Sequence, residues 1–277
     1  MGRKIAFQGE LGAFSHATAV AVFPDDEPLP CVTFEETIGA VQSGAAEYAV
    51  VPVENSLYGR IADIHHILPE SGLYIIGEYY LPVRMNLLAV PGATLSDIKA
   101  VQSLSVALGQ CRTFIKKHNL RTINAVDTAG SAREIAQKGD RSVAAIASRF
   151  AADIYGLDVL AENIEDAAHN TTRFLIMSRE PQTPKSNGQK VKTTFVFRVR
   201  NVPAALYKAM GGFATNGVNM TKLESYMVGG SFTATQFYAD IEGHPDDQNV
   251  KYALEELGFF SDHIKLLGVY PIADSAP

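Results

Sequence analysis

The stretch His169-Asn170-Thr171-Thr172-Arg173-Phe174-Leu175-Ile176-Met177-Ser178-Arg179 decides how this chain is read. A polar cluster runs straight into four apolar residues. As a strand over 172–178, it turns Thr172, Phe174 and Ile176 to one face and Arg173, Leu175 and Met177 to the other, so both faces are largely apolar. That pattern belongs to a central strand covered on both sides. The Thr-Arg opening admits two readings. In one, the threonine ends a ladder and the arginine pairs with a nearby carboxylate. In the other, the hydroxyl and the guanidinium hold a substrate, because ligands bind at strand ends in α/β sheets.

Working outward, the segment 84–158 alternates: strand Ala100–Gln102, helix Val106–His118, strand Arg121–Val126, helix Ser131–Lys138, strand Ser142–Ala147, helix Ser148–Tyr155. Such a βαβ series predicts a parallel sheet with helices on both faces. Nearer the start, strand Lys4–Gln8 turns at Gly9-Glu10-Leu11-Gly12 into a helix beginning near Ser15, which places backbone N–H groups where an anion would be favoured. Thr33-Phe34-Glu35-Glu36 reads as a capping box opening a helix that stops at Gly44. The buried strand Tyr48–Val53 then ends in Glu54-Asn55-Ser56, again a strand-end cluster of polar groups, before a helix over Ile61–Leu68. Residues 74–90 are β-rich, with Pro82 marking a crossing between lobes.

The expectation is an α/β region over 1–180 in two lobes, about 1–80 with 160–180 and 84–158, with central sheets and a cleft between them, as in periplasmic binding proteins. A linker over 181–191 follows, because Glu180–Gln189 has no apolar residue apart from its prolines. The remainder, 192–277, reads as strand Lys192–Val199, a helix entered through Asn201 and Pro203, a hairpin of Met220–Met227 and Ser231–Ile241 around Gly229-Gly230, helix Asp246–Gly258 and strand His263–Val269. That is βαββαβ, a ferredoxin-like module.

Composition removes several classes of function. With 277 residues, 47% of them hydrophobic, the chain can bury full cores, yet it has no apolar run near the twenty residues of a membrane span. Its start reads as a strand and not as a signal peptide, which predicts a cytoplasmic protein. A net charge of −6 argues against nucleic-acid binding, which needs a basic face. Cys31 and Cys111 have no metal or redox spacing and read as small core residues. Asp63, His65 and His66 could suggest a metal, but adjacent histidines on a helix point apart, and neither metal nor cofactor is expected.

The chain resembles prephenate dehydratases. Around Thr172-Arg173-Phe174 it has Tyr155, Leu157, Leu160, Asp166, Leu175 and Met177 at the spacing of that family's signature. Four further stretches agree: GELGAFSH at 9–16, VPVENSLYG at 51–59, SLSVALGQC at 103–111, and KLESY at 222–226 within a C-terminal module similar to an ACT domain. The resemblance covers nearly the whole chain. It implies a cofactor-free lyase of phenylalanine biosynthesis that takes prephenate, assembles as a homodimer or homotetramer and answers to phenylalanine as effector. The catalytic residues it implies are Thr172, Arg173, Phe174, Asn55, Gln110 and Ser103, with Glu54, Ser56, Thr171, Ala13 and Ser15 binding substrate. For the effector it implies Asn201, Ala204, Ala205, Leu206, Leu223, Glu224 and Ser225. In this picture Thr172 donates to the departing hydroxyl, Phe174 lines an apolar wall, and Arg173 either meets a carboxylate or braces the fold.

Departures exist. Glu10 and Ala13 stand where the family commonly has Pro and Thr; an alanine there also occurs in arogenate dehydratases, which keeps arogenate open as the substrate. Tyr226-Met227 follow Glu224-Ser225 where the family often has Arg-Pro. A non-catalytic two-lobed amino-acid sensor is the alternative from another class.

Overall fold

The computed structural model describes residues 2–200, 202–227 and 234–274, with backbone only at 234 and 235. The chain forms two compact units, 1–65 with 79–174, and 66–78 with 175–277. The boundaries fall inside one helix and two strands.

The elements in chain order begin with β1 (Lys4–Gln8), α1 (Phe14–Val22), β2 (Glu27–Cys31), α2 (Phe34–Gln42), β3 (Tyr48–Asn55), β4 (Gly59–Arg60), α3 (Ala62–Ile67) and β5 (Tyr74–Pro82). Next come β6 (Asn86–Ala89), β7 (Ala100–Leu104), α4 (Ser105–Gln110), α5 (Arg112–Lys117), β8 (Arg121–Ala125), α6 (Thr128–Lys138), β9 (Val143–Ala147), α7 (Arg149–Tyr155), β10 (Asp158–Ala161) and β11 (Thr171–Ser178). The rest is β12 (Val191–Val199), α8 (Ala205–Thr215), β13 (Met220–Met227), β14 (Ala234–Glu242), α9 (Gln248–Phe260) and β15 (Ser261–Pro271).

In the first unit, β11, β3, β1 and β2 are successive neighbours in one sheet, with β1 parallel to both β2 and β3. A second sheet has the order β10-β6-β9-β7-β8, with β7 parallel to β8 and β9. Both are mixed with helices, as the alternating pattern requires. The interior of β3 and β11 is almost wholly buried, which is why their sequences carry apolar residues on both faces. Around the second sheet a core forms from Leu87, Leu88, Val101, Ile135 and Ile146, with α7 contributing Ala151 and Ala152.

The second unit contains β12-α8-β13-β14-α9-β15, with strand order β13-β14-β12-β15 and all three pairings antiparallel. Phe195, Phe197 and Phe237 pack beneath Ala209, Phe213, Val250 and Leu257 of the two helices. The segment after Glu180 has no regular structure, but Pro184 O lies 3.0 Å from His244 Nε2 and Ser186 Oγ donates to Asp247, so it is tied down within this unit.

Several sequence expectations need correction. The helix expected over 106–118 is two helices, because Cys111 leaves helical geometry (φ −117, ψ 25). Asp166 holds the break: its N–H donates to Gln110 O at 2.6 Å, and its Oδ1 accepts from Thr113 N at 3.1 Å. Strand β2 was missed, since Glu-Pro-Leu-Pro-Cys has no alternation; it lies at a sheet edge, where prolines can sit. Helix α6 begins at Thr128, before the expected Ser131, because Asp127 caps it by accepting from Gly130 N at 2.6 Å. Cys111 is buried but Cys31 only partly so, which removes Cys31 from the core. Thr33 caps α2 as expected, its Oγ1 accepting from Glu36 N, but Glu36 Oε2 accepts from Val32 N, one residue before the position a capping box uses. Asn201 and the hairpin turn at 228–233, including Gly229, Gly230 and Ser231, lie outside the described residues.

Candidate active site

Where neighbouring strands run in opposite directions, the residues that close one lie beside the residues that open the other. At the end of β3 and the start of β11 this happens with Glu54, Asn55 and Ser56 on one side and Asn170, Thr171, Thr172 and Arg173 on the other. The two segments are stitched together by side chains. Ser56 Oγ donates to His169 O at 2.8 Å and accepts from Thr171 N at 2.9 Å, while Ser56 N donates to Thr171 O at 2.9 Å.

Asn55 sits at the centre. Its Oδ1 accepts from Leu57 N at 2.9 Å and Tyr58 N at 3.2 Å, which fixes the amide the other way round for its nitrogen. That Nδ2 donates to Asn170 Oδ1 at 2.7 Å and to Thr172 Oγ1 at 3.0 Å. Thr172 Oγ1 is therefore an acceptor in this bond, and its own proton is left for another partner.

Arg173 points to the opposite face, as alternation requires, and its Nη1 donates to Glu54 Oε1 at 2.8 Å. The Arg173 side chain is only 3% exposed against 30% for Glu54, so this is a charge-assisted bond with its cationic end inside. Phe174 is buried in the strand interior. On the second sheet, Ser103 is fully buried and its Oγ donates to Ile146 O at 2.6 Å. Gln110 closes α4; it is buried, and its Oε1 has no hydrogen-bond partner among the described residues. The Cys111 thiol beside it is pushed up to about 12 by burial, with Asp166 and Glu165 adding to the effect, so it is no nucleophile at neutral pH.

Ala13 is the N-cap of α1 and Ser15 is buried in its first turn. The preceding Gly9 and Gly12 have φ of +115 and +87, and a Cβ on Gly12 would stand 3.0 Å from Ala151 Cα, so the loop needs glycine to lie this close to α7. Ser148 Oγ and Tyr155 OH donate to the carbonyls of Gly12 (2.9 Å) and Leu11 (2.7 Å), and Glu10 takes a bidentate bond from Arg133 (2.7 and 2.9 Å). His16 Nδ1 accepts from Gly12 N at 2.9 Å, and its ring stacks on Phe7; burial holds its pKa below the usual 6.5. A cavity of about 580 Å³ opens beside this loop, lined by Gln8, Glu10, Cys31, Val126, Arg133 and Tyr155. Its lining does not include Asn55, Gln110 or Thr172.

In the second unit, Ala204 is the N-cap of α8 in the left-handed region (φ +61), Ala205 and Leu206 open the helix, and Leu223, Glu224 and Ser225 lie on β13. Among the described residues no group of three or more His, Cys, Asp or Glu is placed to hold a metal; His65 Nε2 is 3.0 Å from Val53 O. No described helix is long and apolar enough to cross a membrane. The sequence reading passed over Asn170, although it stands two residues before Thr172 and so shares its face; alternation was the signal that could have found it.

The family model for prephenate dehydratase matches residues 5–182. A bifunctional N-acyl-homoserine lactone acylase/prephenate dehydratase of Komagataeibacter europaeus is 50% identical over 97% of this chain and 96% of its own length. The chloroplastic arogenate dehydratase/prephenate dehydratase 1 of Arabidopsis thaliana is 40% identical over 97% of the chain and 72% of its own. Among solved structures, the prephenate dehydratase of Arthrobacter aurescens in complex with L-Phe superposes with a TM-score of 0.89 at 34% identity, over 99% of this chain and 91% of that one. The matched span contains both strand ends, and the chain belongs to the prephenate dehydratase family.

Proposed function

We propose that this chain catalyses the decarboxylative dehydration of prephenate to phenylpyruvate in phenylalanine biosynthesis. The observation that carries the reading is the directed network in which Asn55 donates to Thr172 Oγ1 and leaves the threonine proton unspent on that bond. The prephenate dianion takes up one proton and yields phenylpyruvate, carbon dioxide and water. The electron pair of the ring–carboxylate bond enters the ring as the ring–hydroxyl bond breaks, and aromatisation drives the step. Thr172 gives its proton to the departing oxygen in concert with cleavage and recovers one from solvent. Arg173, buried against Glu54, braces the strand end, while the first turn of α1 at Ala13–Ser15 favours the anion. Gln110, Ser103, Ser56, Thr171 and Phe174 shape the remaining walls.

Thr172 is 8% exposed, so substrate enters through an opening of the first unit. The loop 9–12 is held to α6 and α7 by the Glu10–Arg133 pair, by bonds from Ser148 and Tyr155, and by close packing of Gly12 on Ala151, which fixes the entry to α1 in advance of substrate. The βαββαβ order of 191–271 supports an ACT-type regulatory module that pairs with a second copy and binds phenylalanine near Ala204–Leu206 and Leu223–Ser225. A cytoplasmic, cofactor-free homodimer or tetramer is the corresponding whole.

The test is incubation of the purified chain with prephenate, with and without millimolar phenylalanine, following phenylpyruvate. Turnover of arogenate alone would move the reading to arogenate dehydration, the substrate named for the Arabidopsis relative. The Komagataeibacter relative's name favours a second activity, because 96% of its length is shared with this chain. Release of homoserine lactone from an N-acyl-homoserine lactone is the matching assay.

A further inference from the structure

Asn170 has incomplete hydrogen bonding beside the hydroxyl that matters most. Its side chain is 1% exposed, and its Nδ2 has no acceptor among the described residues. The orientation is forced. Asn55 Oδ1 is taken by two backbone N–H groups, so Asn55 presents nitrogen to Asn170, and Asn170 must answer with oxygen. The Asn170 nitrogen then carries two protons with nothing to receive them, and a buried donor left unpaired calls for an explanation. Asn170 and Thr172 also touch the same Asn55 nitrogen, at 2.7 and 3.0 Å, and lie two residues apart on one face.

Resting on the reading of the site as a dehydratase centre, we propose that Asn170 is a further substrate-contacting residue whose Nδ2 donates to the departing hydroxyl oxygen alongside Thr172. One anchored amide thus presents two donors. Asn55 holds both through their oxygens, so neither spends a proton on the network. As the carbon–oxygen bond lengthens, charge grows on that oxygen, and a donor fixed in advance stabilises it more than the neutral hydroxyl of the ground state.

The experiment is Asn170→Asp, assayed with wild type across pH 5–9 on whichever of prephenate or arogenate the wild type turns over. A carboxylate keeps the bond from Asn55 but offers no proton. The expected result is a kcat about a hundredfold below wild type at pH 8 with KM changed less than about threefold, recovering as pH falls and the carboxyl regains a donor. A variant within about threefold of wild type, or a loss that is flat with pH, overturns the inference. If Asn170→Asp does not fold, ¹⁵N-asparagine-labelled Thr172→Val protein is titrated with the same substrate; an unmoved Asn170 side-chain amide signal also overturns it. Wild type inactive on both substrates would overturn the dehydratase reading, and this inference with it.

Discussion

Thr172→Val separates the hydroxyl from everything else the residue does. Valine keeps shape and β-branching, so β11 loses no packing. What goes is one proton donor toward substrate and one acceptor for Asn55 Nδ2, 3.0 Å away. For the reaction, loss of a donor aimed at developing charge costs ~10²–10³ in kcat, or about 3–4 kcal/mol. For the fold, Asn55 keeps its bonds to Asn170, Leu57 and Tyr58, so one partly buried N–H loses its partner at a cost of about 1 kcal/mol. Against ~5–15 kcal/mol of total stability the protein stays folded, and the two effects can be read apart. The assay is phenylpyruvate formation under saturating prephenate, with Thr172→Ser as the companion that restores the hydroxyl. Serine within about tenfold of wild type and valine at least a hundredfold down is the expected pair. A valine variant with kcat within threefold of wild type would refute the assignment of Thr172 as donor.

Three further outcomes follow from particular contacts. Glu54→Ala leaves the buried Arg173 guanidinium without this carboxylate and should cost about 3 kcal/mol in urea unfolding, more than Arg173→Met, which takes the arginine away from a Glu54 that is partly solvated; the reverse order would contradict the burial argument. His16 has a folded pKa below its unfolded 6.5, so the unfolded chain binds more protons between the two values; stability should be full above about pH 6.5 and fall as pH drops below it, and a His16→Gln variant should lose that part of the slope. Ala204→Gly removes a side chain from the left-handed region (φ +61) and should raise stability by about 1 kcal/mol, seen as a melting temperature higher by roughly 2–4 °C; a lower one would mean the conformation costs nothing.

How much of this was legible depends on whether the signal was local. Apolar runs on both faces of 48–53 and 172–178 announce central strands, and capping chemistry at Thr33 announces a helix, because each needs only neighbours in sequence. The break at Cys111 was illegible, since its cause is Asp166, which arrives from another part of the chain. The same holds within the site. Thr172, Asn55 and Glu54 could be named from strand ends and family spacing, and alternation separated Arg173 from Thr172. That the Thr172 oxygen accepts, so that its proton is free, needed the backbone bonds that orient Asn55. Gln110 and Ser103 stand on the second sheet and are positioned by packing no sequence pattern records.

The neighbour relation between β3 and β11 has a consequence for how the chain is made. Glu54 and Arg173 are 119 residues apart in sequence, so β3 cannot pair with β11 until the ribosome has delivered nearly two-thirds of the protein. The second sheet faces no such delay, because β6 to β10 lie within one uninterrupted stretch from Asn86 to Ala161. Long loops are slow to close, and contacts of high sequence separation form late. The nascent chain therefore assembles its inserted sheet first and holds the outer side of β3 unpaired, and the strand that brings Thr172 beside Asn55 is also the one that ends that wait.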